Sequence, residues 1–222
     1  EILNKINVEN TNVTTISLKN KNADFYLSEN NFYHNDKRLF SMKDLKILGR
    51  HNAQNVLISL AICYNYGIIM DTIIFACKNF GGVEHRIEFV RELNGIKFYN
   101  DSKGTNVDST IKAVEALEKP IILIVGGYDK NVDFNPLFES FNGKVKTLIL
   151  VGDTKYKFYD SAKKNGFENN IIVNDYREVV EKCFEIAESG DNVLLSPASA
   201  SWDMFKSYEE RGNLFKKLVN EL

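Results

Sequence analysis

The run IILIVGGYDK, residues 121–130, decides the fold of most of this 222-residue chain. Its first five residues are wholly apolar, which is typical of a strand that helices cover on both faces of a parallel sheet. The two glycines that follow carry no side chain, so they allow a ligand or a neighbouring backbone to approach closely. Shorter apolar runs of the same kind recur at residues 148–151, 171–173 and 193–195.

Helical stripes alternate with these runs. Apolar residues recur at a spacing of three or four in segments that begin at Val107, Val179 and Leu214, as expected for helices with one buried face. Two more strand-like segments, residues 87–93 and 96–99, precede the first of these helices. The alternation predicts an α/β fold with a doubly wound, mostly parallel sheet, in a Rossmann-like domain.

The front of the chain has a different pattern. In residues 13–40, apolar and polar residues alternate within short segments that polar clusters separate, and this pattern predicts a β-meander. Helical spacing follows at residues 53–64 and again at about residues 71–79. The pair Gly81-Gly82 resists regular structure and marks the best boundary. Two domains are therefore expected, at about residues 1–83 and 84–222.

The composition excludes several classes of function. Thirty acidic and 28 basic residues give a net charge of -2, which is not the broad basic face that duplex nucleic acid requires. The apolar runs are far shorter than the roughly 18 residues of a membrane-spanning helix. Three scattered cysteines without a CxxC pair predict buried thiols in a reducing cytoplasm. A small-molecule partner is expected, although neither GxGxxG nor GxxxxGK[ST] occurs.

Polar residues follow the predicted strands, where open α/β sheets bind ligands. Residues 100–106, NDSKGTN, form a strand-to-helix turn. Lys103 and Thr105 beside a helix N-terminus suit an anion, and Asp101 suits sugar hydroxyls. On spacing alone, an equally good interpretation is that Asp101 and Thr105 cap the helix.

Two later motifs carry further candidates. Lys130 follows the glycine pair, where a solvated turn lysine is the simpler interpretation. Ser196 lies at the end of the last predicted strand without a GxSxG elbow, so carboxylate binding is favoured over nucleophilic attack. Trp202 and Phe205, a few residues later, are interpreted from the pattern as core aromatic residues.

Residues before the long α/β segment offer amides and an arginine. Asn52 and Asn55 lie three apart on one face of a predicted helix and suit the edge of a base. The simpler interpretation makes His51 and Asn52 a helix cap and Asn55 an exposed polar residue. Arg86 suits a phosphate or a stacked ring, but is ordinarily a solvated charge.

Five motifs in order resemble the later part of the Mur ligases, over about residues 48–222. They are HNAQN at 51–55, GGVEHRIEFV at 81–90, FYNDSKGTN at 98–106, LIVGGYDKNVDF at 123–134 and LLSPASASWDMFKSYEERG at 194–212. Within that family, NDSKGTN and the last motif favour the branch that adds D-glutamate. Gly104 stands where the family commonly has alanine, and we expect it to loosen the turn.

The resemblance implies an ATP-dependent ligase of peptidoglycan synthesis. It implies that the amino group of D-glutamate joins the alanyl carboxylate of UDP-N-acetylmuramoyl-L-alanine, with ATP and Mg²⁺, through an acyl phosphate. It implies that the nucleotide is bound by Asn52, Asn55, Arg86 and Asp101. It also implies that Lys103 lies near the reaction centre. The carboxylates of D-glutamate fall to Thr105, Lys130, Ser196 and the backbone around Phe205.

The resemblance also covers only part of the family's sequence. The UDP-binding domain, the ATP phosphate loop and the magnesium ligands have no counterpart in these residues. We therefore expect a monomeric carboxy-terminal fragment, inactive alone, with a central-domain tail at 1–83 and an amino-acid-binding domain at 84–222. Two alternatives stay open: a stand-alone module that binds a nucleotide or an acidic amino acid, and a folylpolyglutamate-type ligase that uses L-glutamate.

Overall fold

The computed structural model describes residues 12–222, and the chain divides into two compact units between Gly81 and Gly82. Within the described residues, no helix is both long enough and apolar enough to cross a membrane. Each unit has its own hydrophobic core.

The first unit contains a four-stranded sheet. Its strands are β1 (Ile16–Ser17), β2 (Phe25–Ser28), β3 (Asn31–His34) and β4 (Lys37–Ser41). β2, β3 and β4 are antiparallel, as the meander predicts, but β1 runs parallel to β2, so the prediction is wrong for the first strand. A parallel pair cannot be joined by a sharp turn. The starts of β1 and β2 are held together, since the backbone N–H and Oγ1 of Thr15 both donate to Asp24 Oδ2 at 2.7 Å.

Two helices cover this sheet, at the positions that the spacing predicts. They are α1 (Arg50–Asn65) and α2 (Met70–Asn79). The buried face of α1, which includes Leu57 and Leu60, packs with Phe25, Phe32 and Phe40 of the strands. A single-turn 3-10 helix at Met42–Asp44 links the sheet to α1.

The second unit is a six-stranded sheet with helices on both sides. Its strands are β5 (Glu88–Leu93), β6 (Ile96–Asn100), β7 (Ile121–Val125), β8 (Val145–Leu150), β9 (Asn170–Ile172) and β10 (Asn192–Leu195). Its helices are α3 (Val107–Ala116), α4 (Asn135–Glu139), α5 (Lys155–Lys164), α6 (Tyr176–Ile186) and α7 (Tyr208–Glu221). Only β5 runs antiparallel to its neighbour, which confirms the mostly parallel α/β fold.

Alternate residues of the central strand β7 divide the core into two layers. Leu123 and Val125 pack with residues of α3, α4 and α5, whereas Ile122 and Ile124 pack with residues of α6 and α7. Successive side chains of a strand point to opposite faces, and all five residues of β7 are buried. The doubly wound arrangement predicted from the run IILIV is therefore confirmed.

The order of the strands, β5-β6-β10-β7-β8-β9, places the last strand inside the sheet. The chain runs outward from β7 to β9, and α6 then returns it to β10, between β6 and β7. Such a reversal of direction is where open α/β sheets form their ligand crevice. It brings the residues after β6, β10 and β7 to neighbouring places at one edge of the sheet.

Candidate functional site at the carboxyl ends of the strands

Asp101 and Ser196 meet directly, because they follow the adjacent strands β6 and β10. Ser196 Oγ donates to Asp101 Oδ2 at 2.7 Å, and the backbone N–H of Ile87 donates to Asp101 Oδ1 at 3.2 Å. The carboxyl is buried, with a residue exposure of 5 %. Burial raises the pKa of Asp101 from 3.8 to about 7, against the opposing effect of the Ser196 hydrogen bond. This side chain therefore changes charge near neutral pH.

Gly104 lies against this pair. A Cβ at position 104 would clash with Asp101 Oδ2 and would lie 2.7 Å from Ser196 Oγ. The glycine therefore makes room for a buried carboxyl. The expectation that it merely loosens the turn is incomplete, because alanine would need Asp101 to move.

The helix after this turn is capped by a residue that the sequence analysis did not choose. Asn106 Oδ1 accepts from the backbone N–H of Ser109 at 2.9 Å, and α3 begins at the next residue. The alternative that Asp101 and Thr105 cap the helix is therefore wrong. Both side chains are left for other roles.

Two exposed lysines flank Thr105. Lys130 Nζ donates to the Thr105 carbonyl at 2.7 Å, and Lys103 Nζ lies 5.6 Å from the centroid of the Tyr208 ring. In the part of the chain that the structure describes, neither lysine forms an ion pair with a carboxylate. Their charges therefore remain available to an anionic ligand, beside the N-terminus of α3.

The glycine pair after β7 lets neighbouring backbones approach, as its position predicts. Both residues have positive φ, and a Cβ would clash with the Val151 carbonyl at Gly126 and with the Ala200 carbonyl at Gly127. Thr154 holds Gly127 from the other side, since its Oγ1 accepts from Gly127 N at 3.1 Å and donates to Gly127 O at 3.0 Å. The loops after β7, β8 and β10 are thus tightly joined.

Arg211 is the main residue of the site that the sequence analysis missed. It lies on α7, is 1 % exposed, and its Nη1 donates to the carbonyls of Ser199 and Ala200 at 3.1 and 3.2 Å. Its Nε and Nη2 donate to Ser102 Oγ and Ser102 O at 2.9 and 2.8 Å. Burial lowers the pKa of Arg211 from its ordinary value, yet a guanidinium stays protonated in proteins. This one side chain joins the turn after β6 to the loop after β10.

A signal for Arg211 does exist in the sequence. It lies four residues before Phe215 on the stripe of α7 that continues through Leu218 and Val219, and all four residues are buried. A charged residue in an apolar stripe indicates a buried polar contact, because an unpaired charge there would be costly.

His85 and Asn100 form a second buried group under the same turn. Asn100 Oδ1 accepts from Ser102 N at 3.1 Å, which orients the amide so that its Nδ2 donates to His85 Nδ1 at 2.9 Å and to Glu88 Oε2 at 3.0 Å. The proton of a neutral His85 ring is therefore assigned to Nε2. The His85 carbonyl accepts from Lys103 N at 3.1 Å, so this group positions the backbone of the turn.

The remaining candidates of the second unit differ in access. Arg86 is exposed, and its charge helps to favour the ionised form of Asp101. Ser196 is fully buried. Phe205 is half-buried, its ring 5.1 Å from that of Tyr176, and its N–H donates to the Ser201 carbonyl at 2.8 Å. Of the residues assigned to D-glutamate, Lys130 is thus exposed, Thr105 and Phe205 are half-buried, and Ser196 is enclosed. Trp202, which the pattern places with Phe205 in the core, is instead 65% exposed, so that interpretation is wrong.

Asn52 and Asn55, the candidate nucleotide-binding residues of the first unit, are hydrogen-bonded to each other. Asn55 Nδ2 donates to Asn52 Oδ1 at 3.0 Å, and Asn52 Nδ2 donates to the Leu48 carbonyl at 2.7 Å. Gly49, with a φ of 92°, is the N-cap residue of α1, and no side chain caps that helix. The alternative that His51 and Asn52 form the cap is therefore wrong, whereas Asn55 is exposed as expected.

Sequence comparison identifies relatives of this chain. A family model described as "Mur ligase, glutamate ligase domain" matches residues 85–199. A UDP-N-acetylmuramoylalanine--D-glutamate ligase of Thermoanaerobacter sp. (strain X514) is 50% identical over 204 residues, which are 91% of this chain and 44% of that protein. The enzyme of the same name from Caldicellulosiruptor saccharolyticus is 50% identical over 192 residues, 86% of this chain and 42% of that protein. The chain thus spans less than half the length of these curated relatives.

Solved structures share the fold. The UDP-N-acetylmuramate-alanine ligase of Thermotoga maritima gives a TM-score of 0.68 at 17% identity, over 94% of this chain and 48% of that chain. The folylpolyglutamate synthase of Mycobacterium tuberculosis gives 0.62 at 10% identity, over 87% of this chain and 48% of that chain. These likenesses show the architecture alone, but the family model covers more than half of the 222 residues. The chain belongs to the Mur ligase family.

Proposed function

We propose that this chain carries the amino-acid-binding part of an ATP-dependent ligase that joins D-glutamate to UDP-N-acetylmuramoyl-L-alanine in peptidoglycan synthesis. The observation that carries the proposal is the pair of exposed lysines, Lys103 and Lys130, around Thr105 without carboxylate partners among residues 12–222. D-glutamate brings two carboxylates to such a site. The names of relatives about half identical in sequence support the choice of substrates.

The residues of the second unit would position the amine. Condensation of a carboxylate with an amine needs prior activation by ATP, because a carboxylate is a poor electrophile. The protein must then hold the amine in line with the activated carbon, which contributes through proximity and fixed charges. In the proposal, Thr105 and Lys130 hold carboxylate oxygens, and Lys103 stabilises negative charge near the reaction centre.

Ser196 and the backbone at Phe205 complete the proposed amino-acid site. Each already has a partner: Ser196 Oγ donates to Asp101, and Phe205 N donates to the Ser201 carbonyl. Both would exchange that partner for a ligand oxygen. Binding of D-glutamate would thereby be coupled to the charge of Asp101, since loss of the Ser196 hydrogen bond removes one group that favours the carboxylate form.

The nucleotide is proposed to contact Asn52, Asn55, Arg86 and Asp101. The exposed Arg86 and Asn55 fit this role, since a guanidinium pairs with phosphate and an amide reads a base edge. Asp101 fits it only in part, because both of its oxygens already accept hydrogen bonds inside the protein. ATP supplies the phosphoryl group that activates the acceptor carboxylate.

Magnesium is not assigned to residues of this chain. Among residues 12–222, no three His, Cys, Asp or Glu side chains are grouped so that they could hold a metal ion. In the proposal, residues 1–83 correspond to the tail of the family's central domain and 84–222 to its amino-acid-binding domain. A cytoplasmic, monomeric protein is part of the same proposal.

Amide-shift titrations of the ¹⁵N-labelled chain with D-glutamate and with L-glutamate test this function. We expect shifts with the D isomer only, centred on Thr105 and Lys130. Lys130→Gln should weaken the D-glutamate response, whereas Lys163→Gln, at the exposed end of α5, should not. L-selective shifts would instead favour a folylpolyglutamate-type ligase, and shifts with neither isomer would contradict the assignment of this site.

A further inference from the structure

We propose that Tyr208 is a positioning residue for Lys103, because its aromatic ring holds the lysine ammonium in place while leaving the positive charge unpaired. This inference rests on the proposed function, in which Lys103 stabilises negative charge near the reaction centre. It gives α7, through its first residue, a part in that stabilisation.

Lys103 contacts an aromatic ring instead of a carboxylate. Its Nζ lies 5.6 Å from the centroid of the Tyr208 ring, within the distance of about 6 Å at which a ring face attracts a cation. In the part of the chain that the structure describes, Lys103 forms no ion pair. A hydrogen bond with Glu209 raises the pKa of Tyr208, which keeps the ring neutral. A neutral ring attracts the ammonium without cancelling its charge.

Other lysines that contact rings have a carboxylate as well. Lys157 Nζ also lies 5.6 Å from a ring centroid, that of Phe134, but it pairs with Asp129 at 3.0 Å. Lys78 likewise has both a ring and a carboxylate partner. A lysine beside a carboxylate forms a pair with no net charge, whereas Lys103 retains its charge. The ring contact of Lys103 therefore suits a cation that is to meet an anionic ligand.

The Tyr208 ring is held in fixed relation to the turn that carries Lys103. Ser102 Oγ donates to the Tyr208 carbonyl at 2.8 Å and accepts from Arg211 Nε at 2.9 Å. The Tyr208 ring also lies edge-on to the His85 ring, with the centroids 5.9 Å apart, and the His85 carbonyl accepts from Lys103 N at 3.1 Å. A restrained ring limits the freedom of the lysine before a ligand binds, which lowers the entropic cost of binding.

Lys103 and Lys130 are held in different ways, which suits different roles. Lys130 Nζ donates to the Thr105 carbonyl at 2.7 Å, so one of its N–H groups already has an acceptor. A ring face attracts the charge of Lys103 but supplies no oxygen lone pair, so the N–H donors of this ammonium stay available to ligand oxygens. Lys103 is thereby fixed in place for the oxygens of an acyl phosphate, as electrostatic stabilisation requires.

Titration of the ¹⁵N-labelled chain with acetylphosphonate, a stable analogue of an acyl phosphate, tests the proposal. We expect a saturable shift of the Gly104 amide, which Lys103→Gln should abolish. Tyr208→Leu, which removes the ring, should weaken the apparent affinity about threefold. Tyr208→Phe, which keeps the ring, should leave the affinity unchanged.

Tyr156→Leu is the matched control, because Lys155 Nζ also lies 5.6 Å from the centroid of the Tyr156 ring, on α5. This change should not alter the affinity for acetylphosphonate. Titration of each variant with D-glutamate, followed at the Lys130 amide, shows whether the amino-acid site is intact. We expect Tyr208→Leu to retain the D-glutamate response, since Lys130 is held by the Thr105 carbonyl and not by the ring.

The two titrations separate this proposal from the proposed function. If D-glutamate shifts the amides of Thr105 and Lys130 but Tyr208→Leu binds acetylphosphonate as tightly as the unsubstituted chain, the positioning role is overturned and the proposed function stands. Equal losses in Tyr208→Phe and Tyr208→Leu would also overturn it, in favour of the tyrosine hydroxyl. No response to acetylphosphonate at all would contradict an available charge at Lys103. A threefold effect of Tyr208→Leu without any D-glutamate shift would support the positioning role and contradict the amino-acid assignment.

Discussion

The candidate site has a buried half and an exposed half that differ in how their polar groups are satisfied. In the buried half, Asp101, Ser196 and Arg211 are almost fully enclosed, and each has hydrogen-bond partners inside the protein. In the exposed half, Lys103 and Lys130 reach solvent and have no carboxylate partner among the described residues. An unsatisfied buried group costs far more than an unpaired surface charge. Substitutions in the buried half should therefore affect stability most, and substitutions in the exposed half should affect binding with little loss of stability.

Replacement of the buried arginine should have the largest effect. Arg211→Leu would leave the carbonyls of Ser199 and Ser102 without their donor and would remove one of the two donors to the Ala200 carbonyl. We expect a loss of about 4 kcal/mol in the free energy of unfolding. Urea denaturation measures this change. Arg177→Leu, an exposed arginine of α6 with a 4.0 Å ion pair, should change it by less than about 0.5 kcal/mol. Equal effects of the two changes would refute the division between the halves.

The buried carboxyl should make stability depend on pH in an unusual direction. The pKa of Asp101 is raised from 3.8 to about 7 in the folded chain, so the folded state holds a proton that the unfolded state releases. Its contribution to stability is therefore complete below about pH 4 and is lost as pH rises towards 7.

Comparison of the chain with Asp101→Asn isolates this term. The unfolding free energy of the unsubstituted chain minus that of Asp101→Asn should fall by about 3 kcal/mol between pH 4 and 7, because only the carboxyl titrates. Urea midpoints across this range provide the measurement. A difference that is flat or rises with pH would show that Asp101 is ionised throughout.

In the exposed half, Lys130→Gln should weaken D-glutamate binding about tenfold, the amount expected for one charge-assisted hydrogen bond. The unfolding free energy should stay within about 0.5 kcal/mol of its original value. Calorimetric titration and urea denaturation of the same preparation supply both numbers. A large loss of stability would place Lys130 with the structural residues instead.

The smallest expected effect lies at the border of the two halves. Gly104→Ala places a methyl group against Asp101 and Ser196, and we expect a loss of about 1 kcal/mol through local overpacking. Gly81→Ala is the matched control, because a Cβ there meets nothing within 4 Å. Thermal unfolding of both variants measures this loss. An unchanged melting temperature for Gly104→Ala would show that Asp101 moves without cost.

Sequence patterns predicted those parts of the fold in which burial is strongly periodic. β7 coincides with the predicted run Ile121–Val125, and the one-sided stripe of α6 is clear in the sequence. α5 was missed, because only Phe158 and Ala162 of its ten residues are buried, among lysines and tyrosines. With five residues, α4 is too short for any periodicity.

For the site, the sequence predicts which residues lie at the edge of the sheet better than it predicts which of them are hydrogen-bonded to each other. Asp101, Lys130 and Ser196 follow strands, so their gathering at one edge of the sheet could be expected from the fold class. The bond between Asp101 and Ser196 could not, because it depends on β10 lying beside β6 although 95 residues separate the two side chains. Arg211 and Ser102 are further apart still, at 109 residues.

The insertion of β10 between β6 and β7 affects how the chain can fold while it is being synthesised. A chain that emerges amino-terminus first exposes β6 and β7 long before the strand that must separate them has been synthesised. Until then, the central pairings of this sheet are missing, and the apolar residues of β7 have no complete surroundings. The site would be the last part of the unit to become native, because Arg211, which joins its loops, follows β10 in the chain. The apolar residues of β7 would therefore stay open to aggregation from the synthesis of β7 until that of β10.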